Sequence, residues 1–246
     1  EYVDKIVLVF EKVKKILKDD GTLWLNIGDN YSHKNNGLYK VKDLYGIPWM
    51  VALAMRASGW HLRQDIIWAK KNPMPEPVAD RCVKSHEYIF LFSKNSSYYF
   101  NGSGIMEDKI TDHMKKHDDQ NWMSGWDRHR TSSSGRNLQS SKTPREEIAI
   151  NHRKKTRNSV WFLPTQHYSG SHFATFPEKL VELCIIAGSK PHDVVLDPFM
   201  GSGTTAAVAK KLNRSYIGCE LNEEYVELQQ KRISSVPNTL QMNMNY

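Results

Sequence analysis

The stretch DPFMGSGTT, Asp197 to Thr205, lies between the apolar run DVVL and the alanine-rich run AAVAKKL. A short apolar strand, a glycine-rich turn and a helix, in that order, are typical of an α/β protein with a parallel sheet. The helix start offers unpaired backbone N–H groups, and glycines let a ligand come close to the backbone. The sequence therefore predicts a ligand site at this turn.

The chemistry of the ligand follows from what the turn lacks. A P-loop needs Lys before its Ser or Thr, whereas Gly203 is followed by Thr204 and Thr205, and the third glycine of a dinucleotide fingerprint is missing. A second apolar run, RSYIGCEL, carries Glu220, an acidic residue suited to ribose hydroxyls. These features favour a nucleoside without a phosphate chain, and S-adenosylmethionine fits. The alternative is that the turn and Glu220 are ordinary structural features of an α/β protein.

Composition limits the class of protein. The 246 residues are 39% hydrophobic, which suits one large domain or one domain with an insertion. A net charge of +7 favours a polyanionic partner, with nucleic acid as the leading candidate. The three cysteines have neither zinc spacing nor an even number, which indicates a reduced, intracellular protein. No apolar run reaches about 18 residues, so we expect a cytoplasmic protein without a membrane span.

The rest of the chain alternates helices and strands. Apolar spacing predicts a helix before Gly21, a buried strand at TLWLNIGDNY and a second helix from Pro48 to Gly59. HLRQDIIWAK and HEYIFLFSKN are expected to pair as an antiparallel edge hairpin. Thr175 and Glu178 form a candidate capping box for a helix that ends at Gly188.

Residues 101–157 differ in character. They are rich in Ser, Asn, Gly, His and charged residues without helical or strand period, and they end in the basic run NHRKKTRNS. This pattern indicates an inserted, partly flexible region whose basic end suits phosphate contacts. A solvated charge run is the alternative.

One long segment resembles the C-terminal half of β-class amino-group DNA methyltransferases, which methylate cytosine N4 or adenine N6. It runs from SHFATFPEKL through DPFMGSGTT and SYIGCELNEEY to QQKRI. The likeness extends to DDGTLWLNIGDNY, GWHLRQDIIWAKKNPMPEP and KSHEYIFLFSK. The resemblance implies a Rossmann-like methyltransferase sheet with an inserted target-recognition region. It divides the chain into a catalytic half (1–101), a target-recognition insert (102–157) and a cofactor-binding half (158–246).

The resemblance also implies site residues. Glu220 would bind the ribose of S-adenosylmethionine, Phe199 would lie against the cofactor, and the role of His172 is left open. The expected cofactor-binding residues are Phe173, Thr175, Phe176, Asp197, Phe199, Gly201, Gly203, Thr204 and Glu220. The expected DNA-binding residues are Arg153, Lys154, Lys155 and Arg157. The implied partners are double-stranded DNA and, as a candidate, a cognate restriction endonuclease.

The catalytic residues are not assigned. The family uses Asp, Asn or Ser followed by Pro-Pro-Tyr, and that tetrapeptide does not occur; NPMP at Asn72–Pro75 is a poor imitation. Cytosine C5 chemistry is disfavoured because none of the cysteines, Cys82, Cys184 and Cys219, follows Pro. Since the first residue is Glu1, we expect the catalytic motif to be encoded upstream. We then expect the strand that carries the motif to be missing between VVLD and TLWLNI. This chain alone is therefore expected to be inactive and prone to aggregate.

Two other functions remain open from the sequence. A DNA-binding or partner subunit could keep the methyltransferase fold without catalysing transfer, which the missing tetrapeptide supports. A methyltransferase acting on RNA or a small molecule could use the same fold, because fold does not determine substrate.

Overall fold

The computed structural model describes residues 1–108, 154–166 and 176–237. The chain forms two compact units, one comprising Glu1–Gly104 with Asn158–Tyr246 and the other comprising Ile105–Arg157. Within the described ranges, no helix is long and apolar enough to cross a membrane.

The larger unit contains five α-helices and six strands among its described residues. The helices are α1 (Tyr2–Ile16), α2 (Ile47–Ala57), α3 (Glu178–Gly188), α4 (Thr204–Lys211) and α5 (Glu223–Ser234). The strands are β1 (Thr22–Ile27), β2 (His61–Lys70), β3 (His86–Ser93), β6 (Val160–Leu163), β7 (Val194–Asp197) and β8 (Ser215–Gly218). In the smaller unit, β4 (Glu107–Asp108) pairs antiparallel with β5 (Lys154–Lys155).

The main sheet has the strand order β1-β3-β2-β6. The predicted antiparallel pairing of β2 with β3 is confirmed. β3 also pairs antiparallel with β1, so it lies inside the sheet, and β6 adds in parallel to the outer side of β2. Consequently β1, β2 and β6 all run in one direction.

A second, parallel sheet consists of β7 and β8. Among the described strands β1 pairs only with β3 and β7 only with β8, so each has one edge without a described neighbour; the place of the motif strand between them stays a prediction. All six residues of β1 are half-buried, and the prediction of a buried strand was wrong because one edge of the strand has no described neighbour.

Two contacts show how β1 and β7 are oriented. Lys18 and Asp193, which precede the two strands, form an ion pair of 2.6 Å, so both strands begin at the same edge. Phe199, just beyond β7, meets Phe10 in the middle of α1 with ring centroids 6.2 Å apart. Because α1 runs back along β1, β7 points the same way as β1. The carboxyl ends of the parallel strands therefore share one edge, where α/β proteins bind their ligands.

The hydrophobic core has two parts. The first lies between α1, α2 and β3, and its buried members are Phe10, Val51, Ala52, Met55, Trp60, Phe90 and Phe92. The second lies between α3 and α4, and its buried members are Val181, Ile185, Val208 and Ala209. The second cluster seats the helix that follows the glycine turn, and so it positions that turn at the end of β7.

Candidate functional site

The glycine turn is closed by the carboxylate of Asp197, the last residue of β7. One oxygen accepts the backbone N–H of Phe199 at 2.9 Å, and the other accepts the hydroxyl of Thr205 at 2.6 Å. These bonds tie the end of the strand to the first turn of α4. Asp197 is thus occupied in shaping the turn.

The two glycines of the turn have different tasks. Both adopt left-handed backbone conformations, with φ of +53° at Gly201 and +81° at Gly203. A Cβ at Gly203 would lie 3.1 Å from the side chain of Gln229, so this glycine allows α5 to pack closely. A Cβ at Gly201 would meet nothing nearer than the Phe199 carbonyl at 4.0 Å. The space beside the Cα of Gly201 is therefore open to a ligand.

Glu220 lies across from the turn, beyond the end of β8. Its Oε2 accepts the N–H of Gly201 at 2.7 Å, and its Oε1 accepts the N–H groups of Leu221 and Asn222 at 2.9 Å each. The N–H of Asn222 is the largest cause of a lowered pKa for Glu220; burial opposes the shift, and the other two N–H groups add to it. A carboxylate has about four acceptor sites, and three of those on Glu220 are used by backbone N–H groups. One acceptor site therefore remains for a hydroxyl of a ligand.

A Glu220→Gln variant is expected to be less stable than the wild type at neutral pH, with the difference vanishing in acid. The folded carboxylate has a lowered pKa, so its stabilisation is complete above the pKa of the unfolded chain and is lost as pH falls through the folded-state pKa. Urea unfolding of both proteins, from neutral pH downwards, measures this difference. A difference that stays constant into the acid range would contradict the assignment.

Phe199 and Thr204, both predicted to contact the cofactor, differ in exposure. Phe199 is 53% exposed, with one ring edge against Phe10, so it offers an aromatic surface beside the turn. Thr204 is buried and its hydroxyl accepts a hydrogen bond from Arg232 at 2.7 Å. Phe176 is half-buried against the second core cluster. Phe173, Thr175 and His172 lie outside the described residues.

Sequence reasoning missed a set of contacts that α5 makes with the turn through Gln229 and Arg232, which we call the bracket. Gln229 donates to the carbonyl of Gly201 at 2.7 Å, and the buried Arg232, one helical turn later, reaches Ser202 Oγ at 3.2 Å as well as Thr204. The i, i+3 spacing of Gln229 and Arg232 is the signal that could have found them.

The same arginine also reaches α3. Arg232 pairs with Glu178 Oε1 at 3.1 Å, and Lys211 pairs with Glu178 Oε2 at 2.6 Å. The predicted capping box was wrong, because the helix begins at Glu178 with Pro177 at the N-cap position. Glu178 therefore joins the start of α3 to α5. The bracket thus links the two chain segments expected to bind the cofactor.

The basic end of the insert is partly engaged within its own unit. Arg157 donates to the carbonyl of Ile105 at 2.7 Å and lies 3.8 Å from the carboxylate of Glu107, which also pairs with Lys155 at 3.2 Å. Lys154 is exposed on β5. Arg153 lies outside the described residues.

The residues at this edge fit S-adenosylmethionine. The ligand brings two ribose hydroxyls, a sulfonium cation and apolar surface. Glu220 has acceptor capacity, Phe199 presents an aromatic ring that can face a cation, and Gly201 leaves room for approach to the backbone. An aromatic surface and a carboxylate suit this cation better than they suit a phosphate chain.

Comparisons with known proteins agree on one family. A family model described as DNA methylase, for N6 and N4 methyltransferases, matches residues 1–231. The type II methyltransferase M.SmaI of Serratia marcescens is 40% identical, over 95% of this chain and 74% of that protein. M.Cfr9I of Citrobacter freundii is 36% identical, over 95% of this chain and 71% of that protein.

Solved structures share the fold. The PvuII DNA methyltransferase, described as cytosine-N4-specific, superposes with a TM-score of 0.67 at 20% identity, covering 99% of this chain and 75% of that one. A complex of M1.HpyAVI with S-adenosylmethionine gives a TM-score of 0.59 at 20% identity, covering 95% of this chain and 82% of that one.

Proposed function

The chain belongs to the N6/N4 family of DNA methylases, and we propose that it methylates the exocyclic N4 amine of cytosine in DNA with S-adenosylmethionine as donor. The main support for the position of the cofactor is the hydrogen bond between Gly201 and Glu220, which joins the ends of two neighbouring parallel strands. The preference for cytosine is supported by the structural likeness to the cytosine-N4-specific PvuII enzyme. Adenine N6 is the second candidate.

The chain's own residues bind and orient the donor. Glu220 would accept a hydrogen bond from the ribose, and Phe199 would present its ring to the methionine end, beside the positive sulfur. When bound, S-adenosylmethionine would supply an electrophilic methyl group, with S-adenosylhomocysteine as the leaving group and the amine proton released to solvent. Because that amine is hydrogen-bonded within the duplex, the base must leave the helix to react.

The division of labour along the chain is part of the proposal. Residues 1–101 form the catalytic half, 102–157 the target-recognition insert and 158–246 the cofactor-binding half. The separate compactness of Ile105–Arg157 supports the insert. The names of the type II relatives support a cognate restriction endonuclease as a further partner.

Nucleoside analysis tests the reaction. The full-length protein is incubated with unmethylated phage DNA and S-adenosylmethionine carrying a labelled methyl group, and the DNA is then digested to nucleosides. Label in N4-methyl-2′-deoxycytidine is the expected result, whereas label in N6-methyl-2′-deoxyadenosine would identify adenine as the target base. Label in 5-methyl-2′-deoxycytidine would contradict amino-group transfer. Binding of both DNA and cofactor without transfer would support the partner-subunit alternative.

The basic end of the insert is expected to contribute phosphate contacts. Replacing Lys154 and Lys155 together by alanine should flatten the dependence of log K on log salt by up to about 1.8, or about 0.9 for each lost contact. Cofactor affinity should stay unchanged. Arg157 stays a predicted DNA contact, although its bonds to Ile105 and Glu107 favour a role in closing the base of the insert.

The matched control replaces two exposed lysines of α1, Lys12 and Lys15, by alanine. Both double variants lose two positive charges, so a general effect of net charge would appear in both. An equal change of slope in the control and the test variant would show that the basic run is only a solvated surface.

A further inference from the structure

Two long loops follow parallel strands at the ligand edge of the main sheet. The first, residues 28–46, follows β1, and the second, residues 71–85, follows β2. Both strands are antiparallel to β3, so both loops leave the sheet at the same edge. We call them the two edge loops. They share this edge with the glycine turn, because β7 points the same way as β1.

The first edge loop is held by its own hydrogen bonds. The carboxylate of Asp29 accepts the N–H groups of Gly46 and Ile47, at 3.0 and 3.2 Å, and so caps the start of α2 from across the loop. Nearer the tip, the side chain of Asn36 accepts the N–H of Tyr39 at 2.8 Å. This turn presents Leu38, whose side chain is 77% exposed.

The second edge loop is equally constrained. Met74, which is 79% exposed, stands between Pro73 and Pro75, whose rings restrict the backbone. Glu76 and Arg81 form a two-pronged ion pair, with N···O distances of 3.0 and 2.5 Å. Hydrogen bonding to Arg81, followed by the N–H of Lys84, lowers the pKa of Glu76 to about 2.

The two edge loops are locked to each other. The guanidinium of Arg81 lies 3.8 Å from the centre of the Tyr31 ring, and Lys84 donates to the carbonyl of Asp29. Lys42 and Asp80 form an ion pair across the same junction. The loops therefore form one surface with two exposed apolar tips, and little conformational entropy remains to be lost when a partner binds.

Exposure alone does not identify a partner, because Ile16 on α1 is 74% exposed as well. Ile16, however, precedes β1 and lies toward the opposite edge, whereas Leu38 and Met74 lie at the edge of the methyl-donor turn. The exposed lysines of the two edge loops are Lys34, Lys40, Lys42 and Lys71. Loops that carry both exposed apolar tips and exposed lysines match a DNA duplex, which has an anionic backbone and an apolar base stack.

We propose that the two edge loops form a DNA-contacting platform in which Leu38 and Met74 enter the base stack beside the target base while neighbouring lysines contact phosphates. The proposal rests on the proposed function, since it takes DNA as substrate. An apolar side chain that fills the space left by an extruded base favours the flipped state, which methylation of an exocyclic amine requires.

The apolar tips are tested with the Leu38→Ala, Met74→Ala double variant and with Ile16→Ala as the matched control. The duplex carries the methylation site, mapped by sequencing methylated DNA, with fluorescent 2-aminopurine at the target position. The double variant should lose most of the fluorescence increase that accompanies base flipping. Its kcat on the same duplex with the normal target base should fall at least tenfold, since tenfold is the lower end of the effect of one lost apolar contact. The S-adenosylmethionine Kd should be unchanged, and the control should match the wild type.

The lysines are tested separately through the salt dependence of binding. Lys34→Ala combined with Lys40→Ala should flatten the slope of log K against log salt by about 1.8, measured on a duplex of mixed sequence. The control is again the pair Lys12→Ala and Lys15→Ala. This readout needs no methyl transfer, so a full-length protein that transfers no methyl group would contradict the proposed function and leave the proposed DNA contacts of the edge loops unaffected.

Two results would overturn the proposal. Wild-type fluorescence in the Leu38→Ala, Met74→Ala variant would overturn the entry of these side chains into the base stack. A wild-type salt slope in the Lys34→Ala, Lys40→Ala variant would overturn the phosphate contacts.

Discussion

The Gly201→Val variant is expected to lose binding of S-adenosylmethionine by about 100-fold or more, or about 2.7 kcal/mol. A β-branched residue at the observed φ of +53° is strained, at a cost of about 1–3 kcal/mol. The added side chain would also occupy the open space where the ligand approaches the backbone, and any shift of residue 201 weakens its 2.7 Å bond to Glu220. Isothermal titration calorimetry measures the loss.

Gly37→Val is the matched control for strain. Gly37 also has a positive φ, +82°, and a Cβ there would meet nothing within 4 Å. It carries the same kind of backbone penalty in the first edge loop, outside the expected cofactor-binding residues, so its cofactor affinity should equal that of the wild type. Equal affinity in both variants and the wild type would remove the glycine turn from the cofactor site.

Replacement of Arg232 by methionine is expected to lower the free energy of unfolding by about 1.5–3 kcal/mol, the scale of a lost hydrogen bond to a charged group, because Glu178 is half-buried and keeps Lys211. The substitution removes the guanidinium that donates hydrogen bonds to the hydroxyls of Ser202 and Thr204. It also leaves Glu178 with Lys211 as its one remaining cationic partner among those described. Cofactor affinity should fall as well, because Arg232 holds the turn and the start of α3 together. Urea unfolding and calorimetry with S-adenosylmethionine measure the two effects.

Two further variants distinguish the loss of the Arg232 contacts from a general effect of removing a positive charge. Arg63→Met removes an exposed arginine from β2 and should change stability by no more than about 1 kcal/mol, since its hydrogen bond to Tyr98 is exposed. Arg232→Lys keeps the charge but lacks the planar fork that reaches several partners, so it should recover stability only in part. A stable Arg232→Met variant with unchanged cofactor affinity would show that the bracket plays no part in positioning the turn.

Local sequence patterns were sufficient for the elements of the site. The apolar run before Asp197 and the glycines after it specify a strand, a turn and a helix, and the structure has them at Val194–Asp197, at the turn and at Thr204–Lys211. The distance to the next apolar run was enough to place Glu220 beside the turn, because neighbouring parallel strands end at the same edge. The periodicity of the apolar residues and the spacing of the glycines encode these features within a short stretch of chain.

The sequence by itself determined the class of fold, the family resemblance and the pairing of the glycine turn with Glu220. Only the tertiary structure decided the start of α3 at Glu178, the place of β3 inside the sheet and the bracket from α5. It also decided the locking of the two edge loops. The bond between Arg232 and Glu178 joins residues 54 positions apart, and the bond from Lys84 to Asp29 spans 55. Such bonds depend on how whole elements pack, and the periodicity of a single segment carries no information about a partner that lies so far along the chain.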